Sequence, residues 1–134
     1  MMRKLFSLLI LATMASCLER QQVCPAGPYQ VATINITGDS LVPGTDFLLT
    51  TYNLHNFDFP VDSAKFSADG QGHFTYELWL LGQYDYILRS DTLKIRDTIS
   101  DIFEIRDDCG NSVIDLQFNL NGKLVTNRTI TIKP

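Results

Sequence analysis

The sequence predicts an all-β protein, an antiparallel β-sandwich of about seven strands with an additional C-terminal hairpin. Apolar and polar residues alternate with a period of two along most of the chain after Pro28, as expected for strands with one buried face. Gly, Asp, Asn and Pro separate these runs at short intervals. No stretch beyond the first sixteen residues has helical periodicity, so both layers of the core are expected to be sheets.

The first half of the domain contains alternating runs and one stretch interrupted by proline. Residues 31–37 alternate apolar Ala32, Ile34 and Ile36 with polar neighbours. The further strands expected here are residues 47–53 and 63–68. Residues 56–62 contain Pro60, and because proline cannot donate to a sheet ladder, this stretch is expected to be a loop or an edge strand.

Residues 73–81 form the strongest predicted strand. Its inner face is expected to carry Phe74, Tyr76, Leu78 and Leu80. A glycine-rich turn at residues 69–72 precedes it, and a two-residue turn, Gly82–Gln83, follows it. The strands expected next are residues 84–89, 92–98 and 102–107. In the last of these, Phe103 and Ile105 alternate with polar residues and share one face.

The C-terminal part is predicted to form a hairpin. Residues 113–120 are expected to bury Ile114, Leu116, Phe118 and Leu120. Asn121–Gly122 follows, and both residues accept the left-handed conformation of a type I′ turn. Residues 123–133 are then expected to complete the hairpin.

The N-terminus has the organisation of an export signal. A basic Arg3–Lys4 pair, an apolar stretch and small residues precede Cys17, which resembles a bacterial lipoprotein signal. The resemblance implies cleavage before Cys17, acylation of that cysteine, and an outer-membrane location because Leu18 rather than Asp follows it. The predicted organisation is a signal peptide at residues 1–16, a tether at 17–28 and a β-sandwich domain at 29–134. Ordinary secretory cleavage, which would leave the protein secreted or periplasmic, is the alternative.

Charge argues against one class of partner. Without residues 1–16, which contain two basic residues and no acid, the formal net charge changes from −4 to −6. Nucleic acid is therefore an unfavourable partner, because phosphate binding needs a basic surface. The chain contains no second apolar run near the ~20 residues that a membrane-spanning helix needs. The acyl chains would thus be the only membrane attachment.

The two remaining cysteines, Cys24 and Cys109, are expected to form one disulfide, because an even pair in an exported chain most simply pairs. Two buried free thiols or a metal pair are the alternatives. Metal is disfavoured, since no Cys or His lies at ligand spacing from either residue.

Several short elements together carry a resemblance to a family. The turn Asp69-Gly70-Gln71-Gly72-His73-Phe74, the Gly82-Gln83-Tyr84 corner and Asp107-Asp108-Cys109 are similar to the carboxypeptidase-regulatory-like domains of bacterial lipoproteins. The resemblance implies a transthyretin-like, seven-stranded β-sandwich with the N-terminal segment tied by the disulfide to the loop before the last strand. It also implies a non-catalytic accessory or adhesive module. Ser90-Asp91-Thr92 departs from the family pattern, and the segment after Gly122 adds to it.

No phrase in the sequence indicates an enzyme. His55 and His73 are the only histidines, and neither lies in a nucleophile-elbow, zinc-binding or papain-like phrase. The acidic residues most suited to calcium, as oxygen donors at loop ends, are Asp101, Glu104, Asp107 and Asp108. They lack the spacing of a dedicated calcium loop, so a polar rim is the preferred interpretation, and no metal or cofactor is predicted.

One residue suggests a ligand face. If Phe74 and Leu80 point inward, Trp79 lies on the opposite face with Glu77 and His73. Exposed tryptophan beside an acid is typical of glycan or protein interfaces. The preferred interpretation, however, is that the C-terminal hairpin or a neighbouring loop covers Trp79.

We therefore expect a non-catalytic, lipid-anchored envelope protein that acts as a binding or structural accessory module, with the membrane and a glycan or envelope protein as partners. One rival is an inhibitor or subunit that presents the loop at residues 53–62 to a protein partner. A second rival is a small-ligand binder of the lipocalin-like barrel type.

Overall fold

The computed structural model describes residues 23–80 and 83–134, and the predicted signal segment and Cys17 lie outside them. The described residues form nine strands and no helix. The strands are β1 (Ala32–Gly38), β2 (Asp46–Asn53), β3 (Asn56–Ser67), β4 (Phe74–Leu80), β5 (Tyr84–Ser90), β6 (Ile95–Arg106), β7 (Val113–Leu120), β8 (Lys123–Val125) and β9 (Thr129–Ile132). The all-β fold class is confirmed.

The strands form two sheets, which we call sheet A and sheet B. Sheet A has the order β4-β1-β9, and sheet B has the order β3-β2-β5-β6-β7-β8. Every pair is antiparallel except β1 and β9, which run parallel. The sheets stay open and face each other across a filled core, as in a β-sandwich, so the barrel expected for a lipocalin-like binder is not formed.

The core follows the alternation read from the sequence. Ile34 and Ile36 of β1 pack with inward residues of both sheets, which include Phe47, Leu49, Leu78, Leu80, Tyr86, Leu88, Ile99, Leu116 and Phe118. Burial of these apolar side chains stabilises the fold by about 25 cal/mol for each Å² of apolar surface removed from water. The hydrophobic effect therefore holds the two sheets together through the residues that the period-two pattern places inside.

Two connections differ from the sequence prediction. The segment between β4 and β5 does not join neighbouring strands, because β4 pairs with β1 in sheet A and β5 pairs with β2 and β6 in sheet B. The predicted hairpin at residues 123–133 is also wrong as a unit. Its first part, β8, pairs with β7, while β9 crosses to sheet A. Burial of Ile130 and Ile132 in the core accounts for the crossing.

Irregularities decide which side chains of sheet B are buried. The predicted strands at residues 92–98 and 102–107 are one strand, β6, whose register shifts between Ser100 and Phe103 where Asp101 has φ 49°. After this bulge Phe103 and Ile105 are exposed, Phe103 at 61%. The predicted burial of Ile114 is likewise wrong, since it is 63% exposed at the start of β7.

Other local predictions are confirmed. Asn121 and Gly122 have φ values of 52° and 78°, as a type I′ turn requires, and the turn joins β7 to β8. The proline-containing stretch is an edge strand, because β3 pairs only with β2 among the described strands. Residues 56–62 and 63–67 together form this one long strand.

Several segments meet at one end of the sandwich, which we call the tether end. Asn53 pairs with Tyr84, which places the β2–β3 tip beside the start of β5, and Ala32 pairs with Leu80 at the start of β1. The N–H of Gln30 donates to the carbonyl of Asn111 at 2.8 Å, which adds the β6–β7 turn. The loops at residues 39–45 and 68–73 lie at the opposite end.

Candidate functional site

Trp79 lies on the outer face of sheet A and is 57% exposed. Its neighbours in sequence, Leu78 and Leu80, are buried, so the alternation of β4 directs the indole outward. The prediction that a hairpin or loop covers Trp79 is wrong. The C-terminal chain does not reach it, because β9 adds to sheet A on the far side of β1.

The register of sheet A arranges polar side chains in rows around Trp79. Trp79 is opposite Thr33, Glu77 is opposite Asn35, and Thr129 continues the row of Asn35 on β9. The next row contains Thr75, Thr37 and Thr131. Directly opposed residues have Cβ atoms about 4.5–5.5 Å apart, so these side chains form one continuous surface.

We call this surface the threonine face: Thr33, Asn35, Thr37, Thr75, Glu77, Trp79, Thr129 and Thr131. Sequence reasoning identified Trp79 and Glu77 and noted the polar residues of the first strand. It missed Thr129 and Thr131, because the segment that contains them was expected to pair within a C-terminal hairpin. Their alternation with Ile130 and Ile132 is the signal that could have shown they lie on an outer face.

His73 is not beside Trp79. Trp79 is six positions further along the chain, about 20 Å away at the usual rise per residue of a strand. Nδ1 of His73 lies 2.6 Å from Oδ1 of Asp39, at the opposite end of the sandwich. The structure therefore brings Trp79 and Glu77 together and assigns His73 to a turn contact.

The turn before β4 is held by Asp69. Its Oδ1 accepts the backbone N–H groups of His73 at 2.9 Å and Gln71 at 2.8 Å. These hydrogen bonds, that from His73 first, favour the carboxylate and lower the pKa of Asp69 below its ordinary value. The conformation of the turn thus sets where β4 begins.

A groove runs between the β3 and β4 edges and borders the threonine face. Its volume is about 490 Å³. Tyr76 and Leu78 contribute apolar lining, while Asp62, Glu77 and Trp79 also line it. The β4 edge belongs to sheet A and the β3 edge to sheet B, so the groove lies where the sandwich is open at its side.

A buried carboxylate lies at the tether end. Asp85 has no exposed surface, and its Oδ2 accepts the backbone N–H of His55 at 2.7 Å. Its Oδ1 is buried with no hydrogen-bond partner among the described residues. His55, with φ 56°, forms the β2–β3 tip, so Asp85 fixes the position of that tip. Sequence reasoning did not identify Asp85.

The segment proposed as a presented loop, residues 53–62, comprises this hairpin tip and the first part of β3. It continues into the edge strand β3 rather than forming a loop over the sheet. The ring of Phe57 contacts that of Tyr52, with centroids 5.3 Å apart. Residues 54–63 are exposed.

Three of the four acidic residues considered for calcium, Asp101, Glu104 and Asp107, have other partners. Oδ2 of Asp101 accepts from Asn119 at 2.9 Å and from Ser100 at 3.2 Å, and these hydrogen bonds, Asn119 first, lower its pKa. Glu104 pairs with Arg106 at 2.6 Å. Within residues 23–80 and 83–134 no group of three or more His, Cys, Asp or Glu side chains is arranged to hold a metal ion.

Asp107 organises the β6–β7 turn. Its carboxylate accepts the N–H of Asn111 at 2.8 Å and that of Ser112 at 3.2 Å. Desolvation raises the pKa of Asp107, but these hydrogen bonds outweigh it and hold the pKa below its ordinary value. The carboxylate therefore serves the turn that presents Cys109.

Cys24 and Cys109 form a disulfide with a Cα–Cα distance of 5.3 Å, as predicted. Further contacts hold the same segments together. The guanidinium of Arg106 lies 4.1 Å from the ring centroid of Tyr29, and its Nη1 donates to the carbonyl of Gln30 at 3.0 Å. The residues before β1 are thus fixed to the β6–β7 turn.

The predicted lipidation at Cys17 and the signal at residues 1–16 fall outside the described residues. Within the described part of the chain, no helix is long and apolar enough to cross a membrane.

Comparison with known proteins gives no relative. No family model matches the chain, and neither the curated proteins nor the solved structures contain a significant match.

Proposed function

We propose that this protein is a non-catalytic, lipid-anchored module of the bacterial cell envelope that binds a glycan through the threonine face. One observation carries the ligand part of the proposal: Trp79 is 57% exposed on the outer face of sheet A, opposite Thr33 and on the same face of β4 as Glu77. Tryptophan combines a large apolar ring with a polar N–H and is enriched at interfaces for that reason.

The chemistry of the threonine face suits a sugar. A pyranose ring has an apolar C–H face and hydroxyl groups around its rim. The indole of Trp79 offers an aromatic surface to the C–H face of the ring. Thr33, Asn35 and Glu77 offer a hydroxyl, an amide and a carboxylate to the sugar hydroxyl groups. The face carries one acid and no base, which favours a neutral ligand over an anionic one.

The membrane part of the proposal rests on the N-terminal sequence. Acyl chains on Cys17 would make the membrane a partner and the outer membrane the location. One chain binds reversibly, whereas two or more anchor a protein stably. The suggested kinship with carboxypeptidase-regulatory-like domains belongs to this proposal too, supported by the two-sheet fold and by the disulfide that joins the N-terminal segment to the loop before β7.

Fluorescence titration tests glycan binding, because Trp79 is the only tryptophan of the chain. A panel of neutral soluble oligosaccharides is titrated against the protein. A ligand on the threonine face shifts and changes the emission of Trp79 with a saturable dependence on concentration. Trp79→Ala and Asn35→Ala should each abolish retention on an affinity gel of the same glycan.

Asp91→Ala is the control. Asp91 lies directly after β5, outside the threonine face, and its exposed carboxylate pairs with Arg89. Unchanged unfolding midpoints show that the variants are folded. Binding that survives Trp79→Ala, or no response to any glycan in the panel, would contradict the proposed ligand.

The anchor has its own test. Cells that express the full chain are labelled with radioactive palmitate, and wild type is compared with Cys17→Ala. Label in the wild-type band and its loss in the variant support acylation at Cys17. Equal label in both bands excludes it.

A further inference from the structure

The exposed apolar side chains of the domain are concentrated at the tether end. Phe57 and Phe59 lie near the β2–β3 tip, Phe103 and Ile105 follow the β6 bulge, Ile114 begins β7 and Tyr29 precedes β1. At the opposite end, Val42 is the large apolar residue left exposed among the described residues. Such a concentration marks an interaction surface.

Four segments supply this surface, and two of them expose their side chains for a local reason. Phe57 and Phe59 belong to the free edge strand β3. The register shift at Asp101 turns Phe103 and Ile105 to the outside of sheet B. Only the fold brings these segments to the same end, through the pairing of Asn53 with Tyr84 and of Arg106 with Val113.

The chain also leaves the domain at this end. The Cys24–Cys109 disulfide and the contacts of Arg106 with Tyr29 and Gln30 fix the N-terminal segment to the β6–β7 turn. Cys17 precedes Cys24 by seven residues. Seven residues span at most about 25 Å in any conformation. Acyl chains at Cys17 therefore keep the tether end within that distance of a bilayer surface.

We propose that the tether end rests on the bilayer and places its aromatic and aliphatic side chains at a zwitterionic lipid surface. This inference rests on the lipid anchor of the proposed function. Aromatic side chains are favoured at the level of lipid headgroups, and burial of apolar side chains there strengthens interfacial binding. The same end carries Asp58, Asp101 and Asp108, whose charge opposes anionic lipid.

The proposed contact orients the ligand site. The strands of sheet A run from the tether end, where Ala32 pairs with Leu80, to the opposite end, where Gly38 pairs with Phe74. With the tether end on the membrane, the threonine face stands upright from the bilayer. It is then open to a polymer that lies beside the membrane.

Site-placed tryptophans test the contact. In a Trp79→Phe background, Phe103→Trp reports on the tether end and Val42→Trp on the opposite end, where Val42 is 65% exposed. Each full chain is purified from membranes and reconstituted in phosphatidylcholine vesicles, with and without bromine on the acyl chains. We expect Phe103→Trp to show blue-shifted emission and to lose intensity in brominated vesicles, and Val42→Trp to show neither change.

The outcomes separate this inference from the anchor. Protein that stays in the vesicles while neither tryptophan is quenched overturns the contact and leaves the anchor standing. Equal quenching of both reporters also overturns it, because the domain would then have no preferred end. Protein lost from the vesicles refutes the anchor and the inference with it. A blue shift of Phe103→Trp in detergent that grows with protein concentration shows that a second copy, rather than lipid, covers the end.

Discussion

The carboxylate of Asp85 binds the backbone of His55 at 2.7 Å and ties the β2–β3 tip to β5 across thirty residues of sequence. Tyr86 and Leu88 of β5 point into the core, and Asp85 points to the other side of the same strand. It is nevertheless fully buried. A buried carboxylate with one unpartnered oxygen is costly, and the hydrogen bond from His55 offsets part of that cost.

Asp85→Ala should lower the free energy of unfolding by about 1–3 kcal/mol, because the N–H of His55 loses its acceptor in a partly buried place. Asp85→Asn should cost less, since the amide oxygen still accepts that hydrogen bond and no charge is buried. Urea denaturation of both variants measures the difference. If Asp85→Asn is as destabilising as Asp85→Ala, the hydrogen bond to His55 is not what Asp85 contributes.

Removal of the disulfide should reduce stability substantially. The cysteines are 85 residues apart. Closing a loop of that length contributes roughly 4–5 kcal/mol in the chain-entropy model. The urea midpoint of Cys24→Ala/Cys109→Ala should fall accordingly, and wild-type protein under reducing conditions should match it. Equal midpoints for oxidised and reduced protein would show that the crosslink adds nothing to the fold.

Asp69 should make stability depend on pH in the acidic range. Its pKa in the folded protein lies below the ordinary value of 3.8, because the N–H groups of His73 and Gln71 stabilise the carboxylate. A lowered folded pKa means that the contribution is present above roughly pH 5 and is lost as pH falls through the folded pKa.

Unfolding midpoints of wild type and Asp69→Asn, measured from pH 6 downward in roughly half-unit steps, test this dependence. The variant should be less stable at pH 6 and should approach wild type as the pH falls. Asp58→Asn is the control, since the Asp58 carboxylate is exposed and accepts no hydrogen bond among the described residues. A constant gap between Asp69→Asn and wild type would contradict the prediction.

Three glycines should respond differently to alanine. Gly72 has φ 79°, and a Cβ there would collide with the carbonyl oxygen of Leu41. Gly44 has φ 77° with open space around it, and Gly70 has neither constraint. Left-handed backbone costs a residue with a Cβ about 1–2 kcal/mol.

We therefore expect Gly72→Ala to be the most destabilising variant, Gly44→Ala to lose about 1–2 kcal/mol, and Gly70→Ala to remain close to wild type. Denaturation of the three proteins under one condition gives the ranking. A Gly72→Ala protein as stable as Gly44→Ala would mean that the loop at Leu41 moves away without cost.

Much of the local structure follows from residue order. Alternation along residues 31–37 and 73–81 predicted both the strands and their buried faces, because the side-chain period of a strand is two in any fold. The Asn121–Gly122 turn depends only on backbone conformations open to those two residues. The exposed position of Trp79 follows from the same alternation, although the sequence left open whether another segment covers it.

The disagreements arise where distant segments compete for one position. Residues 123–133 were predicted to pair with β7 throughout, yet β9 pairs with β1 instead. Phe103 and Ile105 lie on the same face of their strand, as predicted. The bulge at Asp101 turns that face outward. Asp85 could not be recognised as buried, because the residues that cover it come from another part of the chain.

Sequence by itself determined the all-β class, the buried faces of residues 31–37 and 73–81 and the type of turn at Asn121–Gly122, because each depends on neighbours in the chain. Tertiary structure alone decided that Thr129 joins Asn35 and Glu77 on one face and that Phe57 and Phe103 share one end. The physical reason is that sheet membership is set by which strands bury the most apolar surface together, a property of the whole core rather than of any segment.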